Sequence, residues 1–92
     1  MDNIKELTLI EEDIDIKGNL ENFLILHNDD IHTFDFVIES LVEICSHTFE
    51  QAEQCAFLVH SKGKTDVKKG TYTKLKPMKD ALIDRGLNAT ID

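Results

Sequence analysis

An α+β sandwich in the order βααβαβ, with three helices packed on one face of a three-stranded sheet, is the fold this sequence predicts. Three observations carry it. Phe23–Leu26 is an unbroken apolar run of strand length. Two stretches of helical spacing follow, joined by a very short link. At the far end, Leu87, Ala89 and Ile91 alternate with Asn88, Thr90 and Asp92, the pattern of a half-buried strand. With 92 residues, there is room for one small domain. Residues 1–21 read as a flexible acidic tail and residues 22–92 as the folded core, because the early Ile and Leu positions keep no period and no aromatic accompanies them.

The elements follow in order. Phe23–Leu26 is a buried strand. From Thr33 the spacing turns helical: Phe34, Ile38, Leu41 and Cys45 form one stripe, widened by Val37 and Ile44. Thr33 is placed to cap this helix, with Asp35 in the favoured first turn. Ser46-His47 ends it. Thr48 and Gln51 then match a capping box, opening a second helix that runs from Phe49 to Lys62 and stops at Gly63. Lys64–Lys69, with Val67 its one strong apolar residue, reads either as an edge strand or as a loop. A third helix is expected over roughly Lys76–Asp84, with Pro77 in its first turn and Gly86 as its stop.

Charge narrows the function. The net charge is −8, and residues 1–22 carry seven acids against two bases. That balance speaks against nucleic acid as a partner. No stretch approaches the roughly 18 apolar residues of a membrane span. Cys45 and Cys55 form no CxxC, and without a secretory signal they read as reduced thiols of a cytoplasmic protein. A run of lysines from Lys62 to Lys79 is either a solvated face or a contact surface for an acidic protein.

Asn28-Asp29-Asp30 directly follows the first strand, and His60 lies in the second helix. One reading of Asn and Asp there is a simple turn, since both side chains bond their own backbone. A lone His60 is equally compatible with simple packing. The functional alternative is a set of acceptors suited to a protonated amine. Phe34 and Val37 on one helix, and Ala56 and His60 on the next, could then border an apolar hollow beside those acceptors. His27, Asp29, Asp30, His32 and His60 match no zinc spacing, so no metal is expected. Cys55 and His60 lie about 140° apart around a helix, and there is no GxSxG, P-loop or GxGxxG. Catalysis and cofactors have no support.

Residues 23–63 resemble the ClpS family, adaptors that deliver proteins with destabilising N-termini to a Clp unfoldase-protease. The resemblance lies in LILHNDDIHTFDFVIESL and FEQAEQCAFLVHSKGK, where Asn28-Asp29-Asp30, Phe36-Val37, Val59-His60 and Gly63-Lys64 coincide with the family pattern. It implies a non-enzymatic adaptor that binds substrate proteins beginning with Leu, Phe, Tyr or Trp. It implies that Asn28, Asp29 and His60 hold the free α-amino group and that Val37, Val59 and Leu87 line the side-chain pocket. Phe34 would stand at the mouth and Ala56 at a second pocket position, both commonly Met in the family. Asp30, Ile31 and His32 would form the rim, where Ile31-His32-Thr33 replaces a Tyr-Thr-Pro-like segment. The implied partner is the N-terminal domain of a ClpA-like or ClpC-like AAA+ unfoldase, with Lys79 as a contact, and the tail would serve in handing substrate over. A similar fold occurs in the C-terminal domain of the ribosomal stalk protein, which offers an alternative interaction role with no amine pocket.

Overall fold

The computed structural model describes residues 21–92, so all but the last residue of the acidic tail falls outside the described residues. Six elements follow one another: β1 (Asn22–His27), α1 (Phe34–Cys45), α2 (Phe49–Lys62), β2 (Lys64–Gly70), α3 (Tyr72–Asp84) and β3 (Asn88–Ile91). The expected order βααβαβ is the observed one. The sheet order is β2-β1-β3, antiparallel on both sides of β1. The lysine-rich segment is therefore an edge strand, where charged side chains discourage further pairing.

Alternation along β1 decides where the helices lie. Leu24 and Leu26 are fully buried, whereas Phe23 and Ile25 point to the other face. On the inner face Leu24 and Leu26 join Ile38, Leu41, Ala52, Val59, Leu75, Leu82 and Ala89 in one core. Caps fix the helix starts. Thr33 Oγ1 accepts from Phe36 N at 3.1 Å, and Thr48 and Gln51 complete a reciprocal capping box. Gly63, at φ +93°, closes α2 in the left-handed conformation that glycine adopts without penalty.

Two features depart from the expectation. The register of β1 against β2 shifts between Leu24 and Ile25, whose partners are Lys68 and Asp66, so Val67 has no partner. Such a bulge re-aims one side chain, and here it turns Val67 into the core. The His47 ring sits on the freed backbone: Nε2 donates to the Val67 carbonyl at 2.6 Å.

The second departure is α3, which starts at Tyr72 instead of Lys76. Thr71 is its cap, accepting from Lys74 N at 3.2 Å. Pro77 lies inside the helix and not in its first turn. It removes the bond to the Thr73 carbonyl, but Thr73 and Pro77 are both exposed, where water can take the freed oxygen. The extra turn buries Leu75 completely. A helix-interior proline still costs stability. Pro77→Ala should raise the unfolding free energy by about 1–2 kcal/mol, after allowance for the looser unfolded chain. Urea titration of the variant against the parent measures this.

Candidate functional site

The end of β1 and the end of α2 meet at one corner of the sheet. Asn28 N donates to the Gly63 carbonyl at 2.8 Å, so the first residue past β1 is pinned to the glycine that closes α2. His60 stands one turn before that glycine, on the exposed side of α2, with Ala56 and Val59 buried beside it.

Asp29 organises the loop that leads into α1. Its Oδ1 accepts from Ile31 N at 2.8 Å and from His32 N at 2.9 Å, the bonding of an Asx-type turn. His32 Nδ1 lies 3.1 Å from Oδ2 and 3.2 Å from Oδ1. The imidazole against this carboxylate is thus His32. Burial pushes the Asp29 carboxyl up, but the His32 and Ile31 amides and the His32 ring outweigh it and hold it below the usual aspartate value. The turn and functional readings of Asn28-Asp29-Asp30 are therefore not exclusive. Oδ1 is spent on the loop, while Oδ2 keeps acceptor capacity.

Between these elements lies a cavity of about 300 Å³. Its polar border consists of His27, Asn28, Asp29, Asp30, His32 and His60. Its apolar lining is Leu26, Phe34, Val37, Ala56, Val59 and Leu87. Val37 comes from α1, Ala56 and Val59 from α2, and Leu87 from the turn after α3. Phe34, at the first position of α1, is 41% exposed and forms part of the rim, whereas Ala56 is 3% exposed. The cavity thus has a polar end rich in acceptors and an apolar end of a size for one large side chain.

One residue expected at the rim lies elsewhere. Ile31 is 84% exposed and does not line the cavity. Lys79, named as a contact for the unfoldase and not for the cavity, lies on α3. Two lining residues were not anticipated, Leu26 and His27. Their signal was position, since they are the last two residues of the strand that delivers Asn28. His27 Nε2 is 2.8 Å from Thr90 Oγ1, which holds the ring toward β3.

The cysteines stand apart from this corner. Burial pushes the Cys45 thiol up to about 11, and burial together with Asp66 raises that of Cys55, so neither has the low value of a nucleophile. Among the described residues, no group of three or more His, Cys, Asp or Glu is arranged to hold a metal ion. No described helix is long and apolar enough to cross a membrane.

Known proteins resemble this chain. A Clp adapter protein ClpS from Acetivibrio thermocellus is 35% identical over 85 residues, covering 89% of this chain and 84% of that protein. One from Nitratidesulfovibrio vulgaris (strain DP4) is 37% identical over 65 residues, covering 71% of this chain. The matched stretch spans 59% of the length of that relative. The fold matches Agrobacterium tumefaciens ClpS2, solved bound to L-phenylalaninamide, with a TM-score of 0.68 and 22% identity over 79% of this chain and 95% of that one. The sequence model of the family described as ATP-dependent Clp protease adaptor protein ClpS covers residues 20–90, almost all of the described residues. From the capped helix pair to the closing strand, the chain is a member of the ClpS family.

Proposed function

We propose that this protein is a non-catalytic adaptor of the cytoplasm, which binds proteins by a free, bulky hydrophobic N-terminal residue and delivers them to a ClpA-like or ClpC-like AAA+ unfoldase for degradation. The observation that carries the reading is the division of one cavity into an acceptor-rich end and an apolar end. Asn28, Asp29 and His60 receive the α-ammonium group, a cation with three donors. The hollow between Val37, Ala56, Val59 and Leu87 receives a Leu, Phe, Tyr or Trp side chain, with Phe34, Asp30 and His32 around the opening. A ligand of this kind, with a free amine and a benzyl group, is what the Agrobacterium ClpS2 structure contains. The unfoldase would dock away from the cavity, with Lys79 on α3 as a contact.

Titration with peptides that differ only at the first residue tests the reading. A Leu-initiated peptide should bind at least about tenfold more tightly than its N-acetylated form, because acetylation removes the charge and leaves acceptors unpaired. Equal affinities would overturn the assignment of Asn28, Asp29 and His60.

Phe34 and Ala56 form a compensating pair on this reading: a large ring at the rim takes space that a small residue on the facing helix leaves. Dense interiors favour such exchange of volume. Phe34→Met should reorder the preference among Leu, Phe and Trp peptides by about 1 kcal/mol, the worth of a methylene or so in an apolar pocket, with melting unchanged. An unaltered ranking would remove Phe34 from the pocket.

A further inference from the structure

We propose that His32 is a positioning residue: its imidazole N–H fixes the plane of the Asp29 carboxylate at the polar border of the cavity. The inference rests on the amine-site reading of that cavity and adds a residue on which it depends.

Asp29 alone could satisfy its loop and still swing. Both loop amides, those of Ile31 and His32, bond to Oδ1 and leave the second oxygen free to rotate about that anchor. His32 Nδ1 spans the two oxygens, at 3.2 Å from Oδ1 and 3.1 Å from Oδ2, and so sets the plane of the carboxylate. A carboxylate only accepts, so the ring nitrogen facing it carries the hydrogen.

The ring is itself held. It stacks on Phe36 with centroids 4.9 Å apart and planes inclined by 19°. On its other edge it abuts Gly86, where an added Cβ would lie 3.1 Å from Nε2 and 3.3 Å from Cε1. Gly86 has φ +88° and immediately precedes Leu87 of the apolar lining. His32 is therefore wedged between α1 and the turn after α3, with one nitrogen on the carboxylate. A residue so packed has little freedom, and a hydrogen bond from a fixed donor orients its acceptor at little entropic cost. The sequence alone placed His32 only at the rim.

Two substitutions separate donor from ring. His32→Phe keeps the stack on Phe36 and the bulk against Gly86 but has no N–H. His32→Asn loses the ring but places an amide N–H near the position of Nδ1. Each variant is titrated with a Leu-initiated peptide and its N-acetylated form, and its melting is recorded. His32→Phe should bind the free peptide about tenfold more weakly with near-native melting, whereas His32→Asn should stay within about threefold of the parent, as expected for loss and retention of a charge-assisted bond. Parental affinity in His32→Phe overturns the proposal. So does equal weakening in both variants, which would mean that an N–H at this position does not suffice without the ring. If His32→Phe does not fold, His32→Leu takes its place under the same criteria. A parent protein that fails to distinguish free from acetylated peptide overturns the amine-site reading itself. A parent that discriminates, with variants that discriminate equally well, overturns only the role of His32.

Discussion

Asp29→Ala should weaken binding of a Leu-initiated peptide by about a hundredfold, through two losses that act together. On the proposed reading the ammonium group loses its carboxylate, and the amides of Ile31 and His32 lose the oxygen that both now share. Hydrogen bonds to charged groups are worth about 1.5–3 kcal/mol, so either loss alone would be visible. Asp30→Ala should cost much less, because no loop amide depends on that exposed side chain among the described residues. Asp29→Asn separates the losses, as it keeps an acceptor for the loop and removes only the charge. Calorimetry on the three variants measures the series, and parity between Asp29→Ala and Asp30→Ala would contradict it. The pH dependence has a definite sign. The Asp29 carboxyl lies below its ordinary value in the folded protein. Its stabilisation of the loop is therefore complete above the unfolded value, about 3.9, and is lost as the pH falls through the lower folded value. Any decline of affinity between pH 5 and 7 belongs to another group.

The second large effect is expected at Leu26, which belongs to the core and the cavity at once. It is fully buried on the central strand β1 and also lines the hollow. Leu26→Ala should destabilise the domain by about 2–5 kcal/mol, the range for truncating a buried leucine. For a domain of this size that lowers the melting temperature by roughly 10 °C or more. The vacated space adjoins the binding hollow. The surviving fold should accordingly gain affinity for Trp-initiated over Leu-initiated peptides. A melting shift below about 4 °C, near 1 kcal/mol for so small a domain, would mean that Leu26 is not the shared wall described here.

Much of the architecture is legible in the sequence because local rules act alone there. The stripes and caps of α1 and α2 follow from Thr33, Thr48 and Gln51, and β1 from four consecutive apolar residues. The start of α3 was not legible, because Pro77 ordinarily marks a first turn. Only the burial of Leu75 and the capping by Thr71 show why one backbone bond can be forgone. The bulge at Val67 was hidden for a similar reason: an unpaired residue in a strand is set by the register of its neighbours, here Asp66 against Ile25 and Lys68 against Leu24, and by the His47 ring. At the site, residue types and spacing pointed to acceptors beside an apolar surface. The partnership of Asp29 with His32 was missed although the two are only three residues apart. Reading it requires knowing that the loop folds its ring back between Phe36 and Gly86.

The bond from Asn28 N to the Gly63 carbonyl has a kinetic consequence. It joins the ends of a strand and a helix by main chain, so the spacing between Asn28 and His60 does not wait for a side chain or a loop to settle. A site assembled before its ligand arrives needs no closing step, and capture should proceed at an ordinary encounter rate, about 10⁵–10⁷ M⁻¹s⁻¹. Different first residues would then arrive equally fast and differ in how long they stay. On the proposed function, residence time, set by the fit of one side chain in the hollow, would be the interval in which a waiting partner must act.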